Sequence, residues 1–270
     1  MKKLSFICLT TLLTLVFAFS AACVPAKPGT SASGNGSAGE NGENAKLWDV
    51  SDVNVSHIGK NHRLIAFTFD DGPTEKTGDL LDVFEEFNSK NPDFVAHATL
   101  FTLGSKVTAE NSDIMKRAFS INFELGNHTY THKDLTTLSD EKVKEELGLT
   151  DEILKNFDGK SVHLVRPAGG HADSRVLSLY KTTFINWTNS LDTKDYEPVV
   201  TENDIYNTVM KNVLDGGIVL MHQGYDKSVS AVKRLLPDLK AIGYQVVSVS
   251  ELIKFYNAKA EIGKLYYSFI

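Results

Sequence analysis

Adjacent carboxylates at Asp70 and Asp71, imidazoles four apart at His128 and His132, and a further imidazole at His222 are the side chains of this 270-residue chain best suited to chemistry. Two carboxylates so close repel, which raises one pKa unless a cation intervenes. Alone, Asp70-Asp71-Gly72-Pro73 reads first as a solvated turn. Histidines at this spacing fall on one side of a helical turn and can hold one metal ion. The residues between them, Thr129-Tyr130-Thr131, lack the glutamate of a zinc-protease helix. Two histidines and one carboxylate make an open three-ligand site, with positions left for water and substrate. His222 follows the apolar run Ile218-Val219-Leu220-Met221 and suits a general acid if its pKa stays near neutral or above. His97 and His163 read as hydrogen-bonded core residues, and His57, His62 and His171 as surface residues.

These groups lie far apart in sequence, so strands must bring them together. Strand-like runs fall at 64–69, 98–103, 123–126, 163–166, 183–187, 217–221 and 244–249. Helical spacing occupies 77–88, 106–119, 140–156, 173–180, 202–214 and 228–241. Alternation of this kind predicts an α/β fold, a closed or nearly closed β/α barrel with about seven parallel strands. An open doubly wound sheet is the other solution of the same pattern. Nearly every polar cluster falls just after a strand: Asp70-Asp71, His128, Arg166, Asn189 to Asp195, and His222. In parallel β/α folds those ends share one face, where sites are built.

The chain begins with an export pattern. Lys2 and Lys3 precede an apolar run from Leu4 to Phe19, and small residues at 20–22 mark residues 1–22 as a signal peptide. The run is short of the roughly 20 apolar residues that span a bilayer. Cys23 after Ala21-Ala22 resembles a lipobox, which points to a lipid anchor on the outer face of a bacterial cytoplasmic membrane; simple secretion is the other reading. Residues 23–46, rich in Gly, Ser and Asn, read as a flexible tether, leaving 47–270 as the catalytic domain. Removing Lys2 and Lys3 from 28 basic residues leaves 26 against 34 acidic ones, a net charge of −8 without a basic stripe. Nucleic acid is excluded as a partner class on that ground.

Four strings together resemble the ordered motifs of the polysaccharide deacetylases, carbohydrate esterase family 4. They are Thr68-Phe69-Asp70-Asp71-Gly72-Pro73, His128-Thr129-Tyr130-Thr131-His132, Arg166-Pro167-Ala168-Gly169-Gly170 and Leu220-Met221-His222. The resemblance covers roughly residues 62 to 252 and implies a distorted (β/α) barrel. It implies Asp70 as general base, Asp71, His128 and His132 as metal ligands, His222 as general acid, and Arg166 as the residue holding the base. Gly169 would offer a backbone N–H to the oxyanion, Leu220 would line the acetyl pocket, and Trp187, which opens the fourth motif, would contact the substrate. The implied cofactor is a divalent metal ion, zinc for such a ligand set, with cobalt or nickel able to replace it. The implied substrate is a polysaccharide with N-acetylglucosamine units, in peptidoglycan or a related envelope glycan.

Two departures stand out. Ala168 and Gly169 replace a Pro and a Tyr in the third motif, and Ser190 takes the place of an Asp in the fourth. An Asp of the fourth motif tunes the acid histidine in that family; Asp192 and Asp195 are both placed to do so here, with Asp192 slightly preferred. Three other readings compete: a catalytically inactive carbohydrate-binding module on the same scaffold, an O-deacetylase of acetylxylan, and an unrelated metal hydrolase. The last lacks second-metal carboxylates and a Gly-rich phosphate loop.

Overall fold

The computed structural model describes residues 45–270; the signal-peptide, Cys23 and tether expectations lie outside them, apart from the last two tether positions. In chain order the elements are β1 (Arg63–Gly72), α1 (Thr77–Lys90), β2 (Thr99–Thr102), α2 (Ser112–Ser120), β3 (Glu124–Asn127), α3 (Asp140–Asp158) and α4 (Ser174–Leu179). They continue with β4 (Phe184–Ile185), α5 (Glu202–Asn212), β5 (Gly217–His222), α6 (Asp226–Ala241), β6 (Tyr244–Val247), α7 (Val249–Tyr256) and β7 (Leu265–Tyr266).

β1 is the centre of the sheet because its apolar residues serve both faces. Ile65, Phe67 and Phe69 point outward to Leu80, Leu81 and Phe84 of α1 and to Val232, Leu235 and Leu236 of α6. Leu64 and Ala66 point inward, to Phe101, Leu164, Ile185, Ile218 and Val247. The period of two carries Thr68 and Asp70 onto that same inner face. The barrel is therefore apolar at its amino end and polar at its carboxyl end. Phe67, Phe69 and Phe84 are fully buried, each worth about 1.5–3 kcal/mol of transfer free energy.

All named strand pairs are parallel. β5 lies along one side of β1, with Asp70 opposite His222. The other side is shared: β6 pairs with the first half, Arg63 to Ala66, and β2 with the second. β2 pairs with β3. From there the wall continues through single parallel bridges, Asn127 to Val165 and Val165 to Phe184, into β4, which pairs with β7. An antiparallel bridge between Gly217 and Ser268 returns it to β5. A distorted α/β barrel is the result.

Three local expectations change. The run 163–166 makes only single bridges at Val165, since Pro167 has no N–H to extend a ladder. The seventh strand is instead β7, too short to be marked by alternation. The strand expected to reach 249 stops at Val247, where Ser248 and Glu251 form a reciprocal capping box that starts α7. The helix expected over 106–119 begins only at Ser112, because the Asn111 side chain accepts from Thr108 N and donates to Lys106 O, tying the preceding loop to itself.

Candidate active site

Asp70 and Asp71 follow each other on β1, so a regular strand would aim them to opposite faces. A register shift between Phe69 and Gly72 and a left-handed Asp71 (φ 67°) break that rule. Such a bulge re-aims one side chain. Asp70 stays on the inner face, and Asp71 turns to the two near-neighbour histidines. Lys106 Nζ donates to the Asp71 carbonyl at 2.8 Å.

Residues 128–132 form no helix, which corrects the helical-turn expectation. Thr129 (φ 69°) and His132 (φ 62°) are both left-handed, and the loop doubles back. Glu146 of α3 holds it there. One carboxylate oxygen accepts Tyr130 N at 3.0 Å and Thr131 N at 2.7 Å, while the other accepts the Thr131 hydroxyl at 2.6 Å. Asn127 Oδ1 accepts Thr129 N, and Thr129 Oγ1 accepts His132 N. Strained non-glycine residues of this kind persist only when their surroundings over-determine them.

The result is a ligand set. His128 Nε2 and His132 Nε2 each lie 3.4 Å from Asp71 Oδ1. That oxygen is buried and has no hydrogen-bond partner. Burial alone would raise the Asp71 pKa, but the imidazoles of His128, His132 and His222 pull it well below the carboxylate range. Burial and the neighbouring His128 lower the His132 pKa, which favours the neutral, ligating form. His128 Nδ1 donates to the Arg166 carbonyl at 2.8 Å, which leaves Nε2 with its lone pair toward Asp71. Tetrahedral zinc with bonds of about 2.0–2.1 Å places its ligand atoms about 3.4 Å apart. An orphaned carboxylate oxygen at that distance from two lone-pair nitrogens fits a divalent cation.

Beside this set stand two further pairs. Arg166, fully buried, donates from Nη1 to Asp70 Oδ1 at 2.8 Å and to Thr68 Oγ1 at 2.7 Å, and its other nitrogens are spent on the Ile185 and Asn186 carbonyls. Its guanidinium packs against the rings of Phe101 (4.2 Å) and Trp187 (5.8 Å). Asp70 Oδ2 faces His128 Nε2 at 3.7 Å. Arg166 thus touches Asp70, the contact expected of a residue that holds that carboxylate in place.

His222, opposite Asp70 on the next strand, donates from Nδ1 to Asp195 Oδ1 at 2.6 Å, and its backbone N–H donates to Asp195 Oδ2 at 2.7 Å. A carboxylate only accepts, so the Nδ1 proton is fixed and Nε2 is left to the site. Burial pushes the His222 pKa down, but the hydrogen bond and charge of Asp195 outweigh it, and the net shift is upward. Asp192 is not the tuning residue. Its carboxylate turns back to Lys194 N, and the residue contributes a backbone bridge to Leu220 instead.

The remaining expectations fall around these pairs. Leu220 is buried two residues before His222 and shares its face of β5. Gly169 is exposed and left-handed (φ 62°), within a turn where a Cβ on Gly170 would meet the Trp187 ring at 2.8 Å. Sequence reasoning missed Glu146, whose partners lie 15 and 16 residues away, and the Tyr196 and Tyr225 rings edge-on to His222 at 5.5 and 6.2 Å. Asp195 and Asp192 are chemically equivalent in the sequence, and only the contact with His222 separates them.

Comparison with known proteins matches residues 57–185 to the polysaccharide deacetylase family model, a span that holds Asp70, Asp71, His128, His132 and Arg166. A peptidoglycan-N-acetylglucosamine deacetylase of Bacillus cereus is 32% identical over 207 residues, covering 73% of this chain and 92% of that protein. A bifunctional xylanase/deacetylase of Pseudobutyrivibrio xylanivorans is 32% identical over 197 residues, or 72% of this chain, which spans only 31% of that longer protein. Among solved structures, the Xyl-CE4 domain of a multidomain xylanase from the hindgut metagenome of Trinervitermes trinervoides superposes with a TM-score of 0.70. It is 30% identical and covers 77% of this chain and 98% of that domain. The chain belongs to the polysaccharide deacetylase family. Members of that family use a divalent metal ion.

Proposed function

We propose that this protein hydrolyses acetyl groups from an N-acetylated cell-envelope polysaccharide, with N-acetylglucosamine of peptidoglycan as the preferred unit. One observation carries the reading. A base held by its own cation (Asp70 by Arg166) and an acid held by its own carboxylate (His222 by Asp195) occupy neighbouring strands at one register, beside the Asp71, His128 and His132 ligand set.

Asp71, His128 and His132 would hold a divalent cation, zinc by the chemistry of the donors, which would supply Lewis-acid chemistry toward the acetamide carbonyl and adjacent water. Arg166 fixes Asp70 through Oδ1, so Oδ2 is the oxygen that accepts a proton from the attacking water. His222 Nε2 then protonates the sugar amine, which is too basic to leave as an anion. Asp195 keeps the imidazole in the required tautomer and favours its charged form. Gly169 N–H is assigned to the developing oxyanion and Leu220 to the acetyl methyl group.

Similarity to xylan-associated relatives favours a second substrate, acetylxylan, on which the same base would act and the leaving group would be an alcohol. The leader-like residues 1–22 and the lipobox-like Cys23 support placement outside the cytoplasmic membrane on a lipid anchor. Among the described residues no helix is long and apolar enough to cross a membrane.

The test is acetate release from purified peptidoglycan, chitooligosaccharides and acetylxylan, before and after chelation and after restoring zinc, cobalt or nickel. Release from the N-acetylated glycans that falls on chelation and returns with metal is expected. Release unaffected by thorough metal removal, or confined to xylan, would overturn the proposal.

A further inference from the structure

The far end of the barrel carries a second group of the same composition. His57 lies on the segment before β1, His97 just before β2, and Glu251 in the first turn of α7. Glu251 Oε2 is used by the helix cap, where it accepts Ser248 N at 2.8 Å. Its other oxygen, Oε1, faces both imidazoles, His97 Nδ1 at 2.6 Å and His57 Nε2 at 3.3 Å. His57 Nε2 is shielded from solvent and makes no hydrogen bond, although it is aimed at that oxygen. The two rings are 4.6 Å apart, close to the 5.0 Å that separates His128 from His132. The group borders a cleft of about 840 Å³ that contains none of the catalytic candidates.

A hydrogen-bonded clasp accounts for His97 and Glu251, but it leaves a buried nitrogen on His57 with nothing to bind. We infer that His57, His97 and Glu251 form a second divalent-cation site, facing this cleft and separate from the catalytic set. The His57 contact already has the spacing of tetrahedral ligands. The His97 contact is a hydrogen bond, so a cation displaces its proton to solvent and widens the pair by about 0.7 Å toward the same spacing. Three protein donors leave the fourth position toward the cleft, which suits a structural ion carrying a water or a small anionic ligand. The inference does not depend on the deacetylase reading.

The full chain, its His132→Ala and His57→Ala variants and the double variant are dialysed to equilibrium against micromolar Zn²⁺, and bound metal is measured per chain. Two equivalents are expected for the wild type, one for each single variant and none for the double. Cobalt in the His132→Ala background should give a tetrahedral ligand-field spectrum that His57→Ala abolishes. Bound metal unchanged by His57→Ala in both backgrounds would overturn the inference and leave a hydrogen-bonded clasp only. Loss on His132→Ala reports separately on the catalytic set.

Discussion

The two ends of the barrel hold the same three ligand types in different company. At the carboxyl end, Asp71 Oδ1 sits 3.4 Å from both imidazoles and is free of other bonds, with Asp70 and His222 independently held beside it. At the amino end, Glu251 is bound 2.6 Å from one imidazole and tied to a helix cap, and the neighbouring carboxylate, Glu124, is held by the neutral donors of Thr99 and Ser250. A ligand set alone is therefore not a catalytic site. At the carboxyl end, Asp70 and His222 each have their own partner of opposite charge, Arg166 and Asp195, on neighbouring strands about 4.8 Å apart.

The largest way to break that contrast is to remove the partner of the base. Arg166→Met leaves Asp70 buried without its cation, and stability is expected to fall by about 3–5 kcal/mol. Denaturant unfolding measures it; a loss below about 1 kcal/mol would show that the pair is not what holds the carboxylate.

Loosening the loop comes next. Glu146→Gln removes a charged acceptor from Tyr130 and Thr131, and metal affinity at the carboxyl-end set should fall about 10–100-fold, with turnover at saturating metal far less affected. Metal-buffered titrations of acetate release separate the two; an unchanged affinity would leave Glu146 as a cap on the loop backbone only.

The smallest expected effect is on pH dependence. Asp195 raises the pKa of His222, and the acid must be protonated to act, so activity is lost as pH rises through that pKa. Asp195→Asn should move the basic limb of the kcat/KM profile to lower pH, while Asp192→Asn leaves it in place. A basic limb that moves with Asp192 instead would reverse the assignment.

Much of the site was legible from order alone. Asp70, Asp71, His128, Arg166 and His222 each follow an apolar strand-like run, and parallel topology gathers such positions whatever the loops do. Less was legible where a distant contact decides a local shape. Thr129, Asp71 and His132 carry no sign of their left-handed backbones, because these are imposed by Glu146 and by the register shift beside β2. Asp192 and Asp195 are chemically alike, and only the path of the chain after β4 brings one of them to His222. His57, read as a surface residue, is half-buried because the segment before β1 folds under the barrel toward Glu251.

The most direct measurement is Asp70→Asn, assayed for bound metal and acetate release in the same preparation. With the ligand set intact and the base removed, the metal bound per chain should stay at the wild-type value while kcat falls about 10²–10⁴-fold. Acetate release within a few-fold of wild type, at full metal content, would contradict the account.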